Sequence, residues 1–240
     1  MWRLTLVALV LVGLAGCVTP HTTLGTIPAP VLSTRPQQPL PTPPPAVRPV
    51  PEYRPVQPRR MPAATIVIDP GHGGRDPGAP GVGSMVEKTV NLNVASRLGR
   101  LLDEKGARVI ATRSSDVYPT LDERAALADR SRADLFISIH ADSAKRSSAS
   151  GATVYVARNA TKQSLQAAQA IVAAMEHAGI ECRGVRRAGY RVLVGHSRPA
   201  VLIECGYLSN RREARLLSTT SYQAKLASAI AEGVVDHFTR

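Results

Sequence analysis

The sequence predicts an α/β domain built on one mixed, mostly parallel sheet of six strands that is flanked by helices. From residue 64 onward, short apolar runs alternate with amphipathic stretches, a pattern typical of layered βα folds. Two of the apolar runs end in a histidine or a glutamate, and a third is followed within a few residues by a histidine. The chain has 240 residues and 44% hydrophobic composition, which suffices for one well-buried domain.

The first predicted strand, Thr65 to Asp69, leads into a glycine-rich stretch that carries one histidine. Its apolar residues are β-branched, as is usual in a buried strand. Residues 70–83 then contain three prolines and six glycines, which disfavour both regular helix and sheet. His72 therefore follows the carboxyl end of a strand, where open α/β sheets usually bind ligands. On this evidence alone, His72 is either a ligand or an incidental residue of a connection.

The later elements follow from periodicity and from helix-start signals. Threonine with glutamate or glutamine three residues later has capping-box spacing, which marks two helix starts. The predicted helices begin at Glu87 (ending before Gly106), at Thr120, at Ser164 (ending at Ala178) and at Thr220. The five further predicted strands cover residues 108–112, 135–140, 152–156, 191–194 and 200–204.

The first 17 residues have the pattern of an export signal. Arg3 gives a basic start, and the apolar segment 4–14 is too short for a permanent membrane span. Residues 14–17, Leu-Ala-Gly-Cys, resemble a bacterial lipobox, whose cysteine becomes the lipidated first residue of the mature protein. We expect an exported protein that is anchored to a membrane through Cys17 and faces the periplasm, and Val18 favours the outer membrane. An ordinary secretory signal with a chance cysteine is the alternative.

Residues 18–63 hold 14 of the chain's 19 prolines and almost no long apolar run. Such a segment cannot bury enough surface to offset its ordering entropy, so we predict a disordered, proline-rich tether. At about 3.1 Å per residue it could reach on the order of 100 Å. The predicted organisation is therefore a signal (1–17), a tether (18–63) and a catalytic domain (64–240).

The formal net charge of +12 favours anionic polymers or surfaces as partners. Nucleic acid is a poor candidate, because the chain carries an export signal, has only 4% aromatic residues and contains no nucleic-acid-binding motif. Anionic lipid headgroups or cell-wall polymers fit better. A basic surface that only maintains solubility is the alternative.

Three predicted strands end in a residue that can bind a metal or move a proton. His72 follows the first strand, His140 and Glu204 end two others, and Glu87 begins a helix. Because parallel strands end at one edge of a sheet, these residues can converge there. Two histidines and a glutamate can form a catalytic zinc site, and a second carboxylate can then act as general base. For Glu87, a favourable anion at a helix N-terminus is an equal alternative.

A series of motifs around these residues resembles one enzyme family. The motifs are D-P-G-H-G-G (69–74), E-K with N-L (87–92), T-R with Asp116 and Tyr118, L-D-E-R (121–124), A-D-L-F-I-S-I-H-A-D (133–142) and P-A-V-L-I-E-C-G-Y-L-S-N (199–210). Over residues 64–240 the chain is similar to the zinc-dependent N-acetylmuramoyl-L-alanine amidases of the type 3 family. The resemblance implies a phosphorylase/hydrolase-like fold, in which His72, Glu87 and His140 bind Zn²⁺ and Glu204 is the catalytic acid/base.

The resemblance also implies a substrate, namely the peptidoglycan amide that joins the lactyl group of muramic acid to the L-alanine of the stem peptide. The chain departs mildly from the family pattern with Asp129, Asp142 and Tyr207. Some members carry a long insertion after the I-H-A strand, with a helix that blocks the zinc site until an activator removes it. Only residues 143–150 stand there in this chain, so we expect an enzyme that this device does not inhibit. We also expect the protein to be a monomer.

Two other functions remain open from the sequence. The same metal and water chemistry would serve a zinc peptidase that cuts within stem peptides. A wall-binding or activator lipoprotein without activity is the other alternative. Cys182 and Cys205 form either a disulfide or two buried thiols, since the sequence does not give the distance between them.

Overall fold

The structure, a computed structural model, describes residues 59–81 and 85–240. The predicted export signal, Cys17 and most of the predicted tether lie outside the described residues, so those interpretations stay predictions. Residues 59–63, the last five of the predicted tether, lie against the domain. Met61 is buried, and its backbone N–H donates to the carbonyl oxygen of Lys105.

Six strands form one sheet, as the sequence predicts. They are β1 (Thr65–Pro70), β2 (Arg108–Ala111), β3 (Leu135–Asp142), β4 (Ala152–Ala157), β5 (Cys182–Ala188) and β6 (Ala200–Tyr207). Their order across the sheet is β2-β1-β3-β6-β4-β5. All neighbours run parallel except β4 and β6, which are antiparallel. The mixed, mostly parallel α/β architecture is therefore confirmed.

The described residues also form six helices, of which four lie between strands and two follow β6. They are α1 (Glu87–Glu104), α2 (Leu121–Arg130), α3 (Lys162–His177), α4 (Arg191–Val194), α5 (Arg211–Leu217) and α6 (Thr220–Thr239). The predicted capping box of α2 is present, because Thr120 Oγ1 accepts from the Glu123 N–H and the Glu123 carboxylate accepts from the Thr120 N–H. At α6 the cap is Thr219, whose hydroxyl accepts from the Tyr222 N–H, so the predicted capping box at Thr220 is wrong by one residue.

One predicted strand is wrong. Arg191–Val194 is the single helical turn α4, in which Val192 and Leu193 are both buried, as adjacent residues can be on a helical turn but not on a strand with one solvent face. The sixth strand is instead Cys182–Ala188, which is rich in arginine and includes Gly184 at φ 77°. Among the described strands, it pairs with β4 alone and forms an edge of the sheet. Its exposed residues are charged, so the sequence lacks the apolar alternation from which strands are predicted.

The two faces of the sheet are covered unequally. Helices α1, α3 and α6 pack on one face over the larger hydrophobic core. On the other face, α2 and the short α4 cover a smaller core that includes Phe136 and Leu202. Side chains alternate between faces along a strand, so His140 and Glu204 share the second face with Phe136 and Leu202. The thin cover on this face leaves room for a site above the strand ends.

Cys182 and Cys205 are free thiols in the structure, the first half-buried and the second buried, so the two-thiol alternative holds. Within residues 59–81 and 85–240, no helix has the length and apolar character that a membrane span requires.

Candidate metal centre and active site

His72 stands at a sharp turn that follows β1. Its φ of 61° lies in the left-handed region, which is uncommon for a residue other than glycine. The His72 Nδ1–H donates to Asp76 Oδ2 at 2.8 Å, and this leaves Nε2 facing Glu87 Oε2 at 3.1 Å. Burial by itself would lower the pKa of His72, but its hydrogen bonds and charge attraction to Glu87 and Asp76 outweigh burial and raise that pKa.

His140 lies near the end of β3, and its ring rests directly on the backbone of Gly71. A Cβ added to Gly71 would lie 2.2 Å from His140 Cε1, so only glycine allows this approach. The His140 Nδ1 atom is 3.0 Å from Glu87 Oε1. The His72 and His140 rings meet edge to face, with their centroids 5.0 Å apart. Both imidazoles therefore turn one nitrogen toward the same carboxylate.

Glu87 is the first residue of α1, and its buried carboxylate is held on several sides. Oε1 accepts from the Ala141 N–H at 3.1 Å and from the Asn91 amide at 3.2 Å, while Oε2 accepts from the Ala79 N–H at 2.9 Å. Burial alone would raise the pKa of Glu87, but hydrogen bonds with the two histidines and backbone N–H groups hold it well below its usual range. The carboxylate is ionised and fixed in orientation.

The donor atoms of His72, Glu87 and His140 all lie within 4.8 Å of one another. Two imidazole nitrogens and one carboxylate oxygen are the ligand set of many catalytic zinc sites. The carboxylate of Asp76 on the far nitrogen of His72 is the outer contact that such ligands usually have. The three residues thus form a candidate metal centre whose chemistry fits zinc.

Two buried arginines hold the backbone of the glycine-rich loop. Arg113 donates to the carbonyl oxygens of Pro70 and Gly71, both at 2.9 Å. Arg124 donates to the carbonyl oxygens of Pro70 at 2.8 Å and His72 at 2.7 Å. These bonds fix the turn on which His72 stands.

Asp69, fully buried at the end of β1, joins this network to the sheet. Its Oδ1 accepts from Arg124 and from the Thr112 hydroxyl, and its Oδ2 accepts from the Ser138 hydroxyl. Each carboxylate oxygen therefore has a donor. A buried ion pair satisfied in this way is costly to break from one side, by about 3–5 kcal/mol.

Glu204 lies on β6 directly opposite His140 of β3. It is 8% exposed, and its Oε2 atom has no hydrogen-bond partner among the described residues. Burial raises the pKa of Glu204 well above its usual range, and the charges of Asp142 and Glu87 raise it further. A carboxyl group with a raised pKa binds a proton more readily than an exposed glutamate, which suits a group that takes up a proton and returns it.

A cavity of about 370 Å³ brings these groups together on the face of the sheet that α2 and α4 cover. His72, His140 and Glu204 line its floor. Tyr118 and Tyr190 line its walls. Arg75 lies over the Tyr118 ring, with 4.8 Å between the guanidinium carbon and the ring centroid. The cavity can admit a substrate between aromatic walls with the candidate metal ligands and a free carboxylate below.

The structure thus brings all four residues that the sequence singles out into one region. Sequence reasoning assigned no role to Asp76 or Asn91. The sequence could have indicated Asp76, because its carboxylate follows His72 by four residues in the same loop. It could likewise have indicated Asn91, since that residue stands one helical turn after Glu87, on the same face of the helix.

Comparison with known proteins gives a consistent result. A family model described as N-acetylmuramoyl-L-alanine amidase matches residues 66–236. The N-acetylmuramoyl-L-alanine amidase LytC of Bacillus subtilis (strain 168) is 37% identical over 179 residues, which covers 72% of this chain and 35% of LytC. The N-acetylmuramoyl-L-alanine amidase AmiA of Escherichia coli (strain K12) is 32% identical over 218 residues, which covers 72% of this chain and 75% of AmiA.

Solved structures show the same similarity. The crystal structure of N-acetylmuramoyl-L-alanine amidase from Clostridium difficile 630 superposes with a TM-score of 0.70 at 35% sequence identity. The superposition covers 72% of this chain and 96% of that chain. This chain thus matches about a third of LytC but nearly the whole of the clostridial structure.

Proposed function

Because the chain belongs to the N-acetylmuramoyl-L-alanine amidase family, we propose that it hydrolyses the amide between the lactyl group of muramic acid and the L-alanine of the peptidoglycan stem peptide. The observation that carries the proposal is the position of Glu204, which lines one cavity with His72 and His140 and whose Oε2 atom has no hydrogen-bond partner in the described part of the chain. This arrangement suits the transfer of a proton beside a metal.

His72, Glu87 and His140 would hold a zinc ion. Zinc at this position supplies a Lewis acid that polarises a carbonyl and lowers the pKa of a water molecule. The chain itself holds the three metal-binding side chains in place. Asp76 orients the His72 ring, and Asn91 orients the Glu87 carboxylate. The ligand geometry is therefore set before substrate binds.

Glu204 moves the proton. Its Oε2 accepts a proton from the attacking water as the oxygen of that water forms its bond to the lactyl carbonyl carbon. The same carboxyl then donates the proton to the alanine nitrogen as the carbon–nitrogen bond breaks. The raised pKa of Glu204 suits both directions of transfer. Atoms and charge balance without a covalent enzyme intermediate.

Access to the site does not require removal of a helix between β3 and β4. Residues 143–151, all of them described, connect these strands and contain no helix. We therefore expect the purified domain to cleave peptidoglycan without a protein activator. A domain that is inactive alone and becomes active on addition of such a protein would contradict this expectation.

Digestion of purified peptidoglycan tests the proposed activity. Mass spectrometry of the products should show free stem peptides that begin with L-alanine, together with glycan strands that lack peptides. Stem peptides shortened from within would indicate a zinc peptidase instead. The Glu204→Gln protein is the matched control and should release neither product.

Export and lipid anchoring belong to the proposal as well. The pattern of residues 1–17 supports processing at Cys17, attachment to a membrane and action on peptidoglycan in the periplasm. Cell fractionation should find the full-length protein in the outer membrane of a diderm host. The Cys17→Ser protein should be found in the soluble periplasmic fraction, and membrane retention of that variant would contradict anchoring through Cys17.

A further inference from the structure

Edge strand β5, separated from β6 by β4, carries three exposed arginines, Arg183, Arg186 and Arg187. Residues 182–191 contain four arginines and no acidic residue. This segment therefore has a local positive charge that the proposed cleavage reaction does not use.

The strand register places Arg186 on the catalytic face of the sheet. Arg186 pairs with Tyr155 of β4, which in turn pairs with Leu202 of β6. Residues that pair directly across a sheet point to the same face, and Leu202 lines the cavity. Two strand spacings separate Leu202 from Arg186, a distance of roughly 10 Å.

The space between Arg186 and the cavity is bridged by aromatic rings. The Tyr155 ring contacts the Tyr190 ring edge to face, with the centroids 5.3 Å apart, and Tyr190 lines the cavity. Tyr155, the strand partner of Arg186, is thus in contact with a residue that lines the cavity.

Arg183 and Arg186 are available to a ligand. Among the described residues, the Arg186 side chain has no hydrogen bond and no ion pair. Arg183 makes one long hydrogen bond, 3.4 Å to the Ser150 carbonyl oxygen, and its guanidinium carbon lies 5.7 Å from the centroid of the Tyr207 ring. Both keep most of their donors free.

Neighbouring arginines differ in this respect. The Arg187 guanidinium donates to the Arg158 carbonyl oxygen at 2.7 Å. Arg191, which lines the cavity, donates to the Asp122 carboxylate at 2.6 Å. Free donors therefore concentrate at Arg183 and Arg186.

We infer that Arg183 and Arg186 form a subsite for carboxylate groups of the peptide that leaves after cleavage. The inference rests on the proposed amidase function. The glycan side of the substrate carries hydroxyl and acetamide groups, whereas the stem peptide carries free carboxylates from its second residue onward. A carboxylate two or three residues beyond the cleaved bond lies about 7–11 Å away along an extended chain, which is comparable with the two strand spacings between Leu202 in the cavity lining and Arg186. Arginine is also the side chain best suited to bind a carboxylate through two parallel hydrogen bonds.

A pair of muropeptides tests the subsite. The two substrates differ only in the second peptide residue, which is D-glutamate in one and its amide, D-isoglutamine, in the other. For the unmodified protein, we expect kcat/KM to be about tenfold higher for the carboxylate substrate, through a lower KM, as a charge-assisted hydrogen bond allows. In R183Q/R186Q that ratio should fall to about one.

The controls separate folding, charge and function. R211Q/R212Q removes two exposed arginines of α5, which does not line the cavity, and should keep the tenfold ratio. R186Q alone replaces a side chain that has no hydrogen bond and no ion pair with the described residues. This variant should therefore fold normally while the ratio falls. An unchanged ratio in R186Q and R183Q/R186Q, or equal kcat/KM for both substrates in the unmodified protein, would overturn the subsite and leave the amidase proposal intact. Failure of the unmodified protein to cleave either muropeptide would count against the amidase proposal and the subsite that rests on it.

Discussion

The glycine-rich loop around His72 and the end of strand β6 at Glu204 meet in one cavity, yet they are built in opposite ways. In the loop, the carbonyl oxygens of Pro70 and Gly71 accept hydrogen bonds from buried arginines, and the His72 ring is held by a carboxylate. At Glu204 the backbone belongs to a fully buried strand, and one carboxylate oxygen has no partner among the described residues.

The difference shows what each part of such a site requires. A metal ligand must hold one orientation, so an irregular backbone has to be fixed by many hydrogen bonds. A proton carrier must keep a lone pair free and a pKa close to the working pH. An unpartnered buried polar group costs about 1–3 kcal/mol of stability, so the free lone pair of Glu204 is kept at the expense of folding stability.

The largest expected effect comes from removal of a ligand. Glu87→Ala takes away one proposed metal ligand and leaves the N–H groups of Ala79 and Ala141 without their acceptor. We expect loss of bound zinc and a fall in turnover of at least about 1000-fold, since the catalytic site is then incomplete. Metal analysis by mass spectrometry and a turnover assay measure both. Glu176→Ala, on the exposed side of α3, is the control, and one zinc per chain in Glu87→Ala would exclude Glu87 as a ligand.

Substitution of two glycines tests how closely the glycine-rich loop packs against the His140 ring. Gly71→Ala would place a Cβ against the His140 ring, 2.2 Å from Cε1, and we expect a loss of about 1–3 kcal/mol in the free energy of unfolding. At Gly99, inside α1, the nearest atom to an added Cβ is Val109 Cγ1 at 3.5 Å. Gly99→Ala should therefore stabilise the protein by about 0.5–1 kcal/mol. Urea denaturation measures both, and equal effects would contradict the close packing of Gly71 on His140.

Sequence patterns predicted the mixed sheet and five of its six strands, and they singled out the four residues of the candidate site, because burial and strand ends leave strong signals. Apolar runs that end in His140 and Glu204 indicate strand and site together. The edge strand β5 was missed because its residues face solvent and carry charge, and α4 was taken for a strand because four residues are too few to show a period. In apolar segments this short, tertiary packing determines whether the residues form a strand or a helical turn.

The hydrogen bonds that orient the site could not be predicted in the same way. The bond from Arg124 to Asp69 joins residues 55 positions apart, and no local pattern in the chain encodes it. The contact of Gly71 with the His140 ring likewise depends on the pairing of β1 with β3. An acidic residue is favourable at a helix N-terminus and is equally suited to bind a metal. The sequence pattern at Glu87 therefore left two equal alternatives.

A smaller effect is expected outside the ligand set. Asp76→Asn removes the charge that orients the His72 ring but retains an oxygen for the Gly78 N–H. Zinc affinity should fall about 10- to 100-fold, as is usual for such outer contacts. Competition with a chelating dye measures the affinity. An affinity equal to that of the unmodified protein would mean that packing alone holds His72.

The smallest effect is on stability and concerns the Glu204 side. In the metal-free protein the folded-state pKa of Glu204 is raised by burial, so its contribution to stability is complete below the usual glutamate pKa of about 4.3. That contribution is lost as the pH rises toward the raised pKa. Metal-free Glu204→Gln should thus be more stable than the unmodified protein at pH 8, with a difference that shrinks toward pH 4. Urea denaturation at both pH values in a chelator measures this, and a difference independent of pH would contradict the raised pKa.

In the proposed mechanism, three residues bind the metal and Glu204 alone carries the proton. The most direct test is to measure zinc content and turnover on one preparation of Glu204→Gln at neutral pH. The structure predicts one zinc per chain, as in the unmodified protein, with turnover lower by at least about 1000-fold. Turnover close to that of the unmodified protein, or loss of zinc together with turnover, would contradict it.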